Sequence, residues 1–202
     1  MTGELIYAFR VMRLSLLDAG GAPIGRLEDV VVVSGRTSSA PRVLGFVANS
    51  QRRRIFVNAN RVASLDNAGA RLKSWDVDFH PFKPKEGERL LKIGVINQKV
   101  GDEVVSDVAL RLREDGRTPG WEVSKVRLAR RNALRRRPTY RLVDWDTVPT
   151  LFAPTTEMAA EAARLRDMHP SDVASVVRAL QPFQRQQLAK EMDDDRLADL
   201  LE

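Results

Sequence analysis

The chain states one series of motifs twice, and this duplication restricts the fold more than any other feature. The first series runs from Ile24-Gly25-Arg26-Leu27-Glu28-Asp29 into Val30-Val31-Val32-Val33. It continues through Val43-Leu44-Gly45-Phe46-Val47, Arg52-Arg53-Arg54 and Phe56-Val57-Asn58 to Leu65. The second runs Glu103-Val104-Val105-Ser106-Asp107-Val108-Ala109-Leu110, then Val123-Ser124-Lys125-Val126, Arg135-Arg136-Arg137, and Leu142-Val143-Asp144-Trp145-Asp146-Thr147-Val148 to Leu151. Short β-branched runs separated by turn residues read as strands. Roughly five or six of them in each stretch of about 65 residues predict a small closed or nearly closed β-barrel, made twice, because closure hides edges that invite aggregation. A duplicated β unit followed by a different texture is the plan of a regulatory or scaffolding protein, not of a one-pocket enzyme.

Within the first unit, an apolar-rich Val11–Leu17 leads to the turn Asp18-Ala19-Gly20-Gly21. Ile24 to Val33 is a strand, 35–41 a loop, and Val43–Ala48 with Ile55–Asn58 a hairpin closed by Asn49-Ser50-Gln51-Arg52. Val62–Leu65 reads as a turn or a single helical turn, and Ala70–Trp75 as a last strand. The first barrel is assigned to 1–80. A linker over 81–89 follows, because the prolines and glycine of His80-Pro81-Phe82-Lys83-Pro84-Lys85-Glu86-Gly87 deter helix and ladder alike. The second barrel occupies 90–154, with its turn at Asp115-Gly116-Arg117-Thr118-Pro119-Gly120.

From Thr155 the apolar period becomes helical. Met158, Ala162 and Leu165 form one stripe, Val173, Val176, Val177 and Leu180 a cleaner one, and Leu197, Leu200 and Leu201 begin a third. Pro170 and Pro182 stand where a first helical turn tolerates proline. Asp193 fits an N-cap, with Asp194 and Asp195 at the positive end of the dipole. Short antiparallel helices of this kind belong to α-superhelical arrays, which need about three repeats to bury their faces. The stripe that begins just before Glu202 reads 155–202 as the truncated start of such an array in a longer protein.

The chain has no cysteine, which excludes disulfides, thiolate metal sites and thiol nucleophiles. Apolar runs such as Val30–Val33 are far short of the ~20 residues of a membrane helix, and Met-Thr-Gly-Glu-Leu lacks the order of a secretory signal. The chain is therefore read as cytoplasmic and soluble, without direct membrane insertion. Charge is divided unevenly. Residues 1–154 hold 27 Lys/Arg against 17 Asp/Glu, and 155–202 hold 6 against 10. The basic body and acidic tail can attract each other or serve different partners.

Catalytic constellations do not emerge, and the chain is expected not to be an enzyme. His80 and His169 each precede a proline and have no carboxylate in the pattern to make either a base. Gly20-Gly21-Ala22-Pro23 has neither the spacing nor the Lys-Ser/Thr of a phosphate loop. Asp29 and Asp107 occupy matching places and are better explained by repetition than as a catalytic pair. The cluster Glu191, Asp193, Asp194, Asp195 and Asp199 offers hard oxygen ligands suited to Mg²⁺, although helix-start aspartates facing water are the plainer reading. Arg52, Arg53 and Arg54, with Arg135, Arg136 and Arg137, are candidates for anion or acidic-partner contact, since guanidinium pairs bidentately with phosphate and carboxylate. The plainer reading makes them solvated hairpin tips.

Two resemblances extend this reading. Gly25-Arg26-Leu27-Glu28-Asp29-Val30, Arg42-Val43-Leu44-Gly45-Phe46 and Phe56-Val57-Asn58-Ala59-Asn60-Arg61-Val62 together resemble the PRC-barrel, a small β domain of photosynthetic reaction-centre and ribosome-maturation proteins. The second unit is similar to a diverged copy that keeps Asp107-Val108 and Asp144-Trp145-Asp146-Thr147-Val148. Met168-His169-Pro170-Ser171-Asp172-Val173-Ala174 with Leu180-Gln181-Pro182-Phe183-Gln184-Arg185 resembles the opening of the cytosolic N-domain of MgtE-type magnesium transporters. That likeness implies a CBS domain downstream, with Mg²⁺ held between facing acids of the two domains, so that the ion needs a domain beyond this chain. The expectation is a cytosolic regulatory and interaction region of a magnesium-transporter-like protein, with docking barrels and a Mg²⁺-responsive helical arm. The alternatives are an RNA- or ribosome-associated factor working through the basic barrel surface, and an oligomerising scaffold, for instance a homodimer. Nucleic acid is the less favoured partner, because only Tyr140 and Trp145 lie near the arginines for stacking.

Overall fold

A computed structural model describes residues 5–34, 39–74, 82–85, 87–113, 119–130, 137–153, 176 and 178. Its strands are β1 (Leu5–Tyr7), β2 (Ser15–Leu17), β3 (Pro23–Val33), β4 (Arg42–Ser50), β5 (Arg53–Asn58), β6 (Val62–Leu65) and β7 (Ala70–Leu72) in the first half. The second half contributes β8 (Glu88–Leu90), β9 (Lys99–Val100), β10 (Glu103–Arg113), β11 (Gly120–Arg130) and β12 (Thr139–Asp144). A single helical turn, α1 (Ala8–Val11), follows β1, and a π turn (Leu91–Val95) follows β8.

The two halves are built alike down to their irregularities. The β3–β4 register slips between Leu27 and Asp29 and again between Val31 and Val32. The β10–β11 register slips between Val105 and Asp107 and again between Ala109 and Leu110, so both bulges recur 78 residues later. A bulge adds an unpaired residue and bends its strand, so two bulges at matching positions give the two long strands the same curl. Leu27 N–H donates to Leu14 O, and Val105 N–H donates to Gln98 O at the matching place. Each hairpin ends in a 3-10 turn, Ala59–Arg61 or Trp145–Thr147, followed by a buried valine, Val62 or Val148.

The leading segments of the halves are exchanged. β1, from the first half, pairs with β10 of the second, with Tyr7 opposite Ala109. β8, from the second half, pairs with β3 of the first, with Leu90 opposite Val31. Each half is thus completed by the opening strand of the other. β4 and β11 also meet, at Arg42 and Glu122, and the result is one curled twelve-stranded sheet. Phe46, Leu16, Leu27, Ile55, Leu91, Leu110 and Leu128 are fully buried in a core that spans both halves. Val148, Leu151 and Phe152 close it at the end of the second half, where Ser34 Oγ donates to Phe152 O.

The predominantly β architecture agrees with the sequence reading, and several details correct it. The pair of separate barrels becomes one continuous sheet, because the pattern of each half says nothing about which half its first strand joins. Val62–Leu65 is a strand paired with Ala70–Leu72, not a turn. The segment expected as linker ends in β8. The first hairpin turns on Gln51 and Arg52 alone, both at positive φ (50° and 64°), as a mirror-image two-residue turn requires. Arg53 and Arg54 therefore belong to β5 and not to a hairpin tip. Of the α-superhelical array expected over 155–202, only Val176 and Arg178 are described, and both are helical.

Candidate functional site

Two aspartates hold the exchange in place. In each half an aspartate stands at the first bulge of the long strand, within an apolar run, and is buried. Asp29 Oδ1 accepts the N–H of Val30 (2.8 Å) and the N–H of Lys92 (2.9 Å), at the π turn entering from the other half. Asp107 Oδ1 accepts Val108 N–H (2.9 Å) and Phe9 N–H (3.2 Å), at the start of α1 from the other half. The latches are reciprocal. Burial pushes both carboxyls above their ordinary range, opposed by these backbone donors.

The halves differ in what lies on the outer side of each latch. Across from Asp107 stands Arg127, and across from Arg127 stands Leu142. Arg127 reaches Asp107 Oδ2 (3.3 Å), donates to Ser106 Oγ (3.2 Å), and lies between two rings, Tyr7 at 5.3 Å and Tyr140 at 5.5 Å. Ionic and cation–π contacts hold the guanidinium on the sheet surface. Around it Tyr140 is 59% exposed, Leu142 42% and Phe9 44%. Arginine framed by exposed aromatic and aliphatic side chains has the composition of a protein-binding hot spot.

In the first half the matching row is Asp29, Val47 and Phe56. Here a valine replaces the arginine, and Asp29 Oδ2 is buried with no hydrogen-bond partner among the described residues. The face is covered by the chain itself. Phe82 stacks on Phe56 with ring centroids 6.1 Å apart, and the Arg54 guanidinium lies 6.0 Å over the Phe82 ring. Phe82 N–H donates to Arg54 O (2.9 Å), fastening this segment to β5. The register places Arg54 and Phe56 at the positions of Tyr140 and Leu142.

Other divergences are ionic. Gly25 and Gly45 lie so close to β4 and β5 that an added Cβ would come within 2.4 Å of Asn49 O and 2.3 Å of Val57 O. Their counterparts are Glu103 and Lys125. Glu103 accepts two 2.9 Å bonds from Arg141 Nε, and Lys125 meets Asp144 at 2.6 Å. The Arg141 bonds hold the Glu103 carboxyl below its ordinary range.

Counting along β5 and β12 from the rows of Asp29 and Asp107 makes Tyr140 the counterpart of Arg54. Arg52 and Arg53 are exposed, and Arg54 is engaged with Glu28 (3.3 Å) as well as Phe82. Arg137 is exposed beside the start of β12, while Arg135 and Arg136 lie outside the described residues. So do His80, His169, Glu191, Asp193, Asp194, Asp195 and Asp199. No described helix is long and apolar enough to cross a membrane. Searches against protein-family models, curated proteins and solved structures find no match to this chain.

Sequence reading weighed Asp29 and Asp107 as a repeated pair but missed the latch. The available signal was a charged residue directly before Val30-Val31-Val32-Val33, where alternation gives an acid no reason to be buried unless backbone donors meet it. It also missed the exposed face, because Tyr7 and Phe9 come from the opposite end of the chain.

Proposed function

We propose that this protein is a non-catalytic docking module and that the outer face of the second repeat, Tyr7, Phe9, Arg127, Tyr140 and Leu142, receives a protein partner. One observation carries the reading: the same face is covered by the chain in the first repeat and exposed in the second. We read each repeat as a diverged PRC-barrel unit. The helical segment after it is read, on its MgtE-like motif, as a Mg²⁺-responsive arm of a cytosolic, magnesium-transporter-like protein, with the ion shared by an acidic domain downstream. The β body would then anchor the arm to a partner while the acids near Asp193 report on Mg²⁺. The basic body favours an RNA-binding alternative less, because Arg127, Arg130 and Arg141 are already paired with Asp107, Asp102 and Glu103.

A photo-crosslinking residue at position 142, with a control at exposed Asn67, tests the docking reading in cells. The expected result is a discrete protein adduct from position 142 that disappears with Tyr140→Ser. Adducts equal at the two positions, or absent from both, would overturn it.

A further inference from the structure

We infer that the second repeat binds its partner by strand addition, taking an extended segment with an aromatic side chain onto the side of β12 away from β11, which no described strand pairs. This inference rests on the docking reading above. Its warrant is a template within the molecule. In the first repeat residues 82–85 are already fastened to the equivalent strand by a main-chain bond, and the contacts of Phe82 are specific. Phe82 N–H donates to Arg54 O, the Phe82 ring stacks on Phe56, and the Arg54 guanidinium lies over that ring. The corresponding positions in the second repeat are Tyr140 for Arg54 and Leu142 for Phe56. Tyr140 O is the matching acceptor, exposed Leu142 the matching floor, and the Tyr140 ring the matching cover.

The geometry specifies the ligand's chemistry. Main-chain bonding to a strand edge demands an extended backbone, with side chains alternating toward and away from the sheet. A floor of leucine under a tyrosine ring suits an aromatic ring, which gains from stacking as well as from burial. Arg127, already fixed by Asp107, Tyr7 and Tyr140, stands beside Leu142 and puts a cation within reach of the face of an incoming ring. The partner is another molecule. In the first repeat the occupant comes from the chain that follows the hairpin, but no Phe, Tyr or Trp stands between Phe152 and Phe183. Phe152 itself is buried in the core.

The probe is a synthetic peptide with the sequence His80–Gly87, added to the isotope-labelled 202-residue chain and followed by amide chemical shifts. The expected result is saturable shifts at Tyr140 and Leu142. They should weaken about tenfold when the peptide's phenylalanine becomes alanine, as loss of an anchoring aromatic does. They should vanish in Leu142→Glu, while the Arg54 and Phe56 amides of that variant keep their positions. Shifts confined to β5, shifts equal for both peptides, or no shift at about 1 mM, the level at which a weak contact is worth about 4 kcal/mol, would overturn strand addition. The last outcome is also what a face covered by the chain's own later segment would give. A position-142 crosslink that survives such a failure would leave the docking reading standing and remove only the strand-addition form.

Discussion

Replacing Asp29 with alanine should release a segment that is 63 residues away in sequence. Asp29 Oδ1 is the shared acceptor for Val30 N–H and Lys92 N–H, at 2.8 and 2.9 Å. Each buried donor left without an acceptor costs about 1–3 kcal/mol. Removing a desolvated carboxylate offsets part of this, since burial alone disfavours the charged form. The net loss at neutral pH is therefore expected near 2–3 kcal/mol, on the order of a third of a typical domain's stability. Asp107→Ala should lose less, about 1–2 kcal/mol, because the Phe9 bond is longer (3.2 Å) and half-exposed Arg127 can be hydrated when its partner is removed. The two variants should differ most clearly in location. Amide exchange should accelerate around Lys92 in Asp29→Ala and around Phe9 in Asp107→Ala, with urea unfolding giving the totals. If Asp29→Ala leaves protection at Lys92 unchanged, or loosens Phe9 instead, the reciprocal latch is wrong.

The raised Asp29 carboxyl gives a pH dependence with a definite sign. Its contribution is full below the ordinary carboxylate range and is lost as pH rises through the folded-state value. Asp29→Asn, which keeps the Oδ1 acceptor, should flatten this component of urea-unfolding stability as pH rises above the ordinary carboxylate range; an unchanged slope would assign it elsewhere. Arg52→Gly should raise stability by roughly 1 kcal/mol in thermal or urea unfolding, because a Cβ at φ 64° is strained and glycine is not. No gain would mean that the Arg52 side chain makes compensating contacts. Titration calorimetry of the 202-residue chain with Mg²⁺ should show nothing tighter than ~1 mM, and a protein extended into the implied acidic domain should bind more tightly. Equal affinity in both would remove the shared-ion idea.

Much of the β architecture was legible because strand periodicity and turn residues are local. Ile24–Val33, the β4–β5 hairpin and the matched places of Asp29 and Asp107 follow from such signals. The partners of β1 and β8 do not. Leu5–Tyr7 and Glu88–Leu90 are three-residue strands, too short to carry a period, and their pairing is decided by which bulged aspartate meets their following turn. Val62–Leu65 looked like a turn because four residues after a 3-10 turn are too few to carry a period, and its strand identity comes only from pairing with the neighbouring Ala70–Leu72. The arginine triplets fall in corresponding hairpins, although the connection between β4 and β5 is shorter than that between β11 and β12, so Arg54 lies within its strand while Arg137 precedes β12. The docking face was hidden because its side chains come from 7–9, 127 and 140–142, and only the exchanged β1 brings them together.

The central claim is that one of two equivalent faces is sealed by the chain and the other is left for a partner. Hydroxyl-radical footprinting of the full 202-residue chain, free of partners, measures this directly. Tyr140 and Leu142 should be modified at rates fitting their 59% and 42% exposure, while Phe56, under Phe82, is protected and becomes reactive in Phe82→Ala. Tyr140 as protected as Phe56 would mean that the chain covers both faces, and the account of an open docking surface would be contradicted.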